Sequence, residues 1–186
     1  MTNTGEELKS TEMIAVKVEK FTKAAQISLR FMAMAVTVAA ASIVVSSKET
    51  VVVYGVTVDA KYSYSPSYKF FAAANLIACS FSAISLLLFY IMGKISKSIN
   101  YFFFFLHDVV VMTLLMAGCS AATAMGYVGK YGNSHAGWMP ICEYFDKYCS
   151  RITIAVTLSY IAFFLYFFLT LLSASKSRTS TTQLSK

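Results

Sequence analysis

Charge is what this 186-residue chain has least of: Asp, Glu, Lys and Arg together make up 13%, about half the share of an ordinary soluble domain. Hydrophobic residues fill 57% of the positions, with Phe alone occurring 15 times. That balance excludes a water-soluble globular domain and indicates an integral membrane protein. Other scarcities narrow the class. There are two histidines, His107 and His135; the topology argued below puts them on opposite sides of the membrane. No nucleophile–base constellation results, and an enzyme is not expected. Two His and four Cys, dispersed, also make no converging ligand set, so neither a metal nor another cofactor is expected. The chain has no N-x-[ST] sequon, no glycine at position 2 (Thr2 stands there) and no CaaX ending, so neither N-glycosylation nor a lipid anchor is indicated. More than twenty mostly polar residues precede the first long apolar run, which argues against a cleaved signal peptide. The net charge of +7 is scattered among membrane-flanking segments. That pattern suits anionic membrane lipid and gives no stripe for nucleic acid.

What is present is an all-α pattern with four apolar spans. Residues 1–23 mix four Lys with four Glu and read as a cytosolic tail, with room for a short amphipathic helix on the membrane surface. Spans follow at 24–45, 70–92, 101–125 and 152–172, forming a four-helix membrane domain over 24–172. The first span reaches about 33 Å, enough to cross the hydrocarbon. The first long connection contains VVVYGVTV, whose β-branched residues suit a short strand or a β-hairpin lying on the membrane. Residues 173–186 are Ser/Thr-rich and basic and predict a disordered tail. The two tails and the short 93–100 turn carry nine Lys and Arg, against six in the two much longer loops. A basic bias in short segments marks the cytosolic side, so both termini are expected in the cytosol.

Span three, YFFFFLHDVVVMTLLMAGCSAATAM, holds Asp108 about a third of the way in. A central Asp costs ~3 kcal/mol to insert, so it needs a partner. Arg30 in span one is the other charge inside a long apolar run. Each lies about 9–10 Å from the same membrane face, a depth match that predicts a buried pair. Both leave an alternative open: Arg30 can snorkel to the headgroups, and Asp108 can be protonated. His107 sits one position off the Asp108 face and reads as a packing or interfacial residue. Beyond Arg30, Ala33, Met34, Thr37 and Ala41 share a face. Beyond Asp108 the stripe runs Met112, Leu115, Cys119, Ala122 and Gly126. Small residues such as Ala33, Thr37, Ala41, Ala122 and Gly126 let helix backbones approach closely.

Cys79 and Cys119 fall inside spans and read as packing residues. Cys142 and Cys149 lie in CEYFDKYC of the second long loop, on the side where oxidation is favoured. Six intervening residues can close a disulfide. A redox or metal pair is the weaker alternative. The loop's single Trp138, with Tyr144, suits an interfacial anchor.

Arg30, Asp108, the loop GNSHAGWMPICEYFDKYC, the downstream RITIAVTLSYIAFF and the span-two stretch SPSYKFFAAANLIACSFSAIS together resemble the plant Casparian strip membrane protein-like family over residues 24–175. The resemblance implies a multi-pass plasma-membrane protein related to the MARVEL four-helix proteins. Its partners would be copies of itself and related family members, in homo- and hetero-oligomers such as homodimers and heterodimers. The family's intramembrane Arg and Asp map onto Arg30 and Asp108, and its second-loop Trp and Cys onto Trp138, Cys142 and Cys149. The founding members build an immobile membrane scaffold that guides local lignification, which makes cell-wall enzymes candidate partners outside. The first outer loop departs from the founding members' signature loop, so the resemblance is to the broader family, with a general scaffold role. The alternative function is a small channel or transporter using Arg30, Asp108 and His107. Against it, the stripe beyond Asp108 is Met, Leu, Cys and Ala, without Gly- or Pro-broken helices.

Overall fold

In hydrocarbon a backbone N–H or C=O without a partner is costly, so an apolar run must satisfy its backbone internally and becomes an α-helix. The computed structural model describes residues 3–95 and 101–184. Its four helices are α1 (Asn3–Ser46), α2 (Pro66–Ile95), α3 (Tyr101–Tyr131) and α4 (Asp146–Leu184). Most of the basic turn expected at 93–100 lies outside the described residues, as do the last two residues of the chain. Each helix contains a segment long and apolar enough to cross a membrane: Val16–Ser46, Pro66–Ile91, Phe102–Tyr131 and Asp146–Lys176. At 1.5 Å per residue these reach about 40–45 Å, the hydrocarbon plus its headgroup layers.

Strands β1 (Lys48–Val53) and β2 (Val56–Lys61) pair antiparallel, from Lys48 opposite Lys61 to Val53 opposite Val56. The two residues between them, Tyr54 and Gly55, have φ of 50° and 80°. Positive φ at both central positions is the mark of the two-residue turn whose twist matches a hairpin's strands. Of the two forms that VVVYGVTV suits, the hairpin is therefore present, and it is longer than that segment. Pro66 opens α2, the position where a missing N–H costs nothing.

Each helix packs on two neighbours, in the ring order α1–α2–α3–α4. Both long connections lie at one end, called here the loop end, and the chain termini lie at the other. Core residues near the loop end include Val44, Phe71, Cys119, Phe145 and Ile152; a second cluster nearer the termini includes Ala33, Ala78, Val111, Leu115 and Leu169. Large side chains such as Phe31, Leu87, Phe103, Val110 and Phe168 face outward. A ring of helices with an apolar exterior is a protein whose solvent is lipid.

The helices overrun the expected spans at both ends. Residues 3–23 continue α1 without a break, and α4 runs to Leu184, where composition predicts disorder. Near the membrane the reason is packing. Gln26 and Ser173 are both buried and join across α1 and α4 at 3.4 Å, and Glu19 pairs with Lys23 one turn on at 2.7 Å. A helix already nucleated by a span extends at little cost.

Candidate functional site

A charge inside the bundle must find its partner on another helix, and here it does so across the ring. Arg30 of α1 and Asp108 of α3 stand on opposite sides of the four-helix ring, and their side chains meet in the middle. Nη1 donates to Oδ1 at 2.8 Å and Nη2 to Oδ2 at 2.7 Å, the two-pronged geometry that makes guanidinium–carboxylate pairs strong. Arg30 is 1% exposed and Asp108 0%, so neither snorkels. The other two helices supply hydroxyls. Ser85 of α2 accepts from Arg30 Nη1 at 2.6 Å, and Ser173 of α4 donates to Asp108 Oδ2 at 3.4 Å. One guanidinium–carboxylate pair thereby touches all four helices. The Phe104 ring, 5.3 Å from the guanidinium carbon, covers it on one side.

His107 is closer to this site than its position off the face suggests. Its Nδ1 lies 3.2 Å from Asp108 Oδ1, and its ring meets Phe81 edge-on at 5.3 Å. Both carboxylate oxygens are occupied, and a carboxylate so held is a structural anion. Among the described residues no group of three or more His, Cys, Asp or Glu is placed to hold a metal.

The other diagonal of the ring is closed by neutral polar groups. Ser159 of α4 donates to Asn75 Oδ1 of α2 at 2.9 Å. Closer to the charge pair, the Tyr166 hydroxyl meets Ser82 and donates to the Ala78 carbonyl at 3.1 Å. Of the stripes expected to pack, Ala33, Thr37, Ala41, Leu115, Cys119 and Ala122 are buried, whereas Met34 and Met112 are half-buried and Gly126 is partly open beneath the Tyr68 hydroxyl. Neither Asn75 nor Tyr166 was singled out by sequence reasoning. A polar side chain on the small-residue face of span two, the face that carries Ser82 and Ser85, is the signal that would have found Asn75.

At the loop end Cys142 and Cys149 form a disulfide with Cα atoms 5.7 Å apart, Cys149 lying in the first turn of α4. The loop is tied to α3 by the Gly129 carbonyl, which accepts from Ile141 N at 2.9 Å and Cys142 N at 3.1 Å. Gly132 has φ +69°, and a Cβ there would stand 2.6 Å from the Trp138 carbonyl oxygen, so only glycine fits. Trp138 is held by its backbone, in a bridge to Asn133, while its side chain is 59% exposed. A contact missed in the sequence joins the two loops: Glu49 Oε2 on β1 accepts from Tyr148 N at 2.7 Å. That carboxylate caps the N-terminal turn of α4, where the helix dipole favours an anion.

Residues 19–165, which contain Arg30, Asp108 and the disulfide, match the Casparian strip membrane protein domain. The chain belongs to this family. It is 51% identical over 155 residues to the CASP-like protein 1F1 of Vitis vinifera, an alignment covering 83% of this chain and 75% of the relative. It is 43% identical over 173 residues to the CASP-like protein 1F2 of Populus trichocarpa, covering 92% and 96%. The CASP-like protein 1F1 of Ricinus communis is 45% identical over 164 residues, covering 88% and 92%. No solved structure matches. As a Casparian strip membrane protein domain, the four-helix ring is a multi-pass membrane unit.

Proposed function

We propose that this chain is a non-enzymatic, multi-pass plasma-membrane protein that assembles laterally, with itself and with related family members, into a membrane-domain scaffold. Its termini face the cytosol, and its disulfide loop and hairpin face the wall, where cell-wall enzymes are the candidate partners. The observation that carries this reading is the charge pair. Arg30 and Asp108, the two buried charges among the described residues, are taken up in holding all four helices together, so the body of the protein serves as a rigid block. A transport pathway needs polar lining through the membrane; along α3 beyond Asp108 the inward residues are Val111, Leu115, Cys119 and Ala122, all buried. The exterior left for interaction is apolar along the spans, and family membership agrees with a structural membrane role.

The test is lateral mobility in a plant plasma membrane. A fluorescent fusion is expected to recover slowly after photobleaching and to cross-link into oligomers. Rapid recovery of a monomer would remove the scaffold reading.

A further inference from the structure

Between the loop-end halves of α3 and α4 runs a groove of about 840 Å³, within the size of known ligand sites. On α3 it extends from Tyr131 and Lys130 down to Ala122, about 12–14 Å at the helical rise. Since the span reaches the headgroup layer at Tyr131, the groove covers that layer and the upper part of the leaflet's hydrocarbon. Its floor is small and apolar. Gly126 leaves open space, with only the Tyr68 hydroxyl within 4 Å of where a Cβ would stand, and Ala122, Ile152 and Val156 continue the floor toward the membrane centre.

The rim has charges of both signs. Lys130 stands on the α3 side, and Glu143 and Asp146 stand on the α4 side. Among the described residues no ion pair joins the lysine to either carboxylate. Tyr127 and Tyr131, with ring centres 4.8 Å apart, add aromatic surface beside Lys130. Beneath the rim, the Thr123 and Tyr160 hydroxyls pair at 3.1 Å. A cation, two anions and aromatic faces above hydroxyls and an apolar trough are complementary to a phosphate, a quaternary ammonium, ester oxygens and an acyl chain, in that order of depth.

We infer that this groove binds a zwitterionic glycerophospholipid of the loop-end leaflet, with its phosphate on Lys130, its choline between Glu143, Asp146 and the tyrosines, and an acyl chain along Gly126 and Val156. The site is independent of the scaffold reading, since it requires no second copy and no particular orientation across the membrane.

The experiment is native mass spectrometry of the full chain released from nanodiscs of equimolar phosphatidylcholine and phosphatidylglycerol with matched acyl chains. The wild type retains one phosphatidylcholine in at least tenfold preference to phosphatidylglycerol. Gly126→Leu and Val156→Trp, which fill the trough from opposite walls, reduce that retention at least tenfold while each elutes as a folded, disulfide-bonded species. The double variant Glu143→Gln, Asp146→Asn, which removes both carboxylates that face the choline, abolishes the preference for phosphatidylcholine. Equal retention of the two lipids by the wild type overturns the proposal, as does unchanged retention in both folded trough variants. Conversion of a dimer to a monomer by both variants with lipid retention unchanged would assign the groove to a second copy instead.

Discussion

At the scale of single residues, Arg30 and Asp108 show how a membrane interior changes the value of a contact. Two ions taken from water bear a large desolvation cost that their attraction offsets only with good geometry and further hydrogen bonds; here there are two guanidinium–carboxylate bonds and two serines. Removing one partner leaves the other uncompensated, at about 3–5 kcal/mol, whereas removing both leaves two apolar side chains. Arg30→Met and Asp108→Leu, each alone, should lower thermal stability in mild detergent sharply. The double substitution should be more stable than either single one. A fluorescence-detected melting series measures this, and simple additivity of the two losses would show that the side chains act separately. The pair was legible from depth alone, because an acid and a base at matched distance from one face are rare in apolar spans. Ser85 and Ser173 were not, because serines occur throughout these helices and a hydroxyl satisfied by its own helix looks the same in sequence as one facing a charge. His107 was set aside because helical position describes where a Cα faces; its ring reaches the carboxylate through its own side-chain length.

At the scale of elements, the loop end is held by contacts between segments far apart in the chain. The Glu49 carboxylate joins β1 to the first turn of α4. Glu49→Ala should cost about 1 kcal/mol, as loss of a helix cap does. Faster hydrogen exchange should appear at Tyr148 and its neighbours while α3 remains protected; unchanged exchange there would mean that the first turn needs no cap from the hairpin. A second expectation concerns pH. Lys61, hydrogen-bonded to Asp59 at 2.6 Å, and then the Tyr64 hydroxyl at 3.0 Å, hold the Asp59 carboxyl below its usual value. A carboxyl depressed in the folded state contributes stability that is fully present above its unfolded value and is lost as pH falls through the folded one. Hairpin amides should therefore lose protection, relative to their intrinsic exchange rates, on acidification below about pH 4, and Asp59→Asn should remove that dependence; an identical acid response in Asp59→Asn would assign it to another group. Of these elements, the hairpin was legible because β-branched residues flank a Tyr-Gly turn. The cap was not, since nothing local to Glu49 points to a helix about a hundred residues later. The extensions of α1 and α4 were missed because composition describes a tail in isolation, whereas these tails continue helices already fixed by the membrane.

At the scale of the whole molecule, the ring is braced along both diagonals at different depths, α1 to α3 by ions and α2 to α4 by Asn75–Ser159 and Tyr166. A disulfide closes the loop end beyond them. Closing a loop of about eight residues removes about 2.5 kcal/mol of chain entropy from the unfolded state. Cys142→Ser with Cys149→Ser should therefore destabilise by about that amount, with loss of protection concentrated in the second loop and the first turns of α4. The disulfide and the charge pair lie at different depths and share no side chain: Cys142 and Cys149 are in the loop and its helix junction, while Arg30 and Asp108 lie among residues toward the termini. Distant sites without common partners combine additively to within about 0.5 kcal/mol. The disulfide-free protein carrying Arg30→Met and Asp108→Leu should accordingly show the sum of the two separate effects. A deficit well beyond the sum would mean that the two ends unfold as one unit, transmitted through the Asn75 and Tyr166 layers. Repeating the cycle in an Asn75→Ala background tests that route, because loss of the Asn75–Ser159 contact should then abolish the excess.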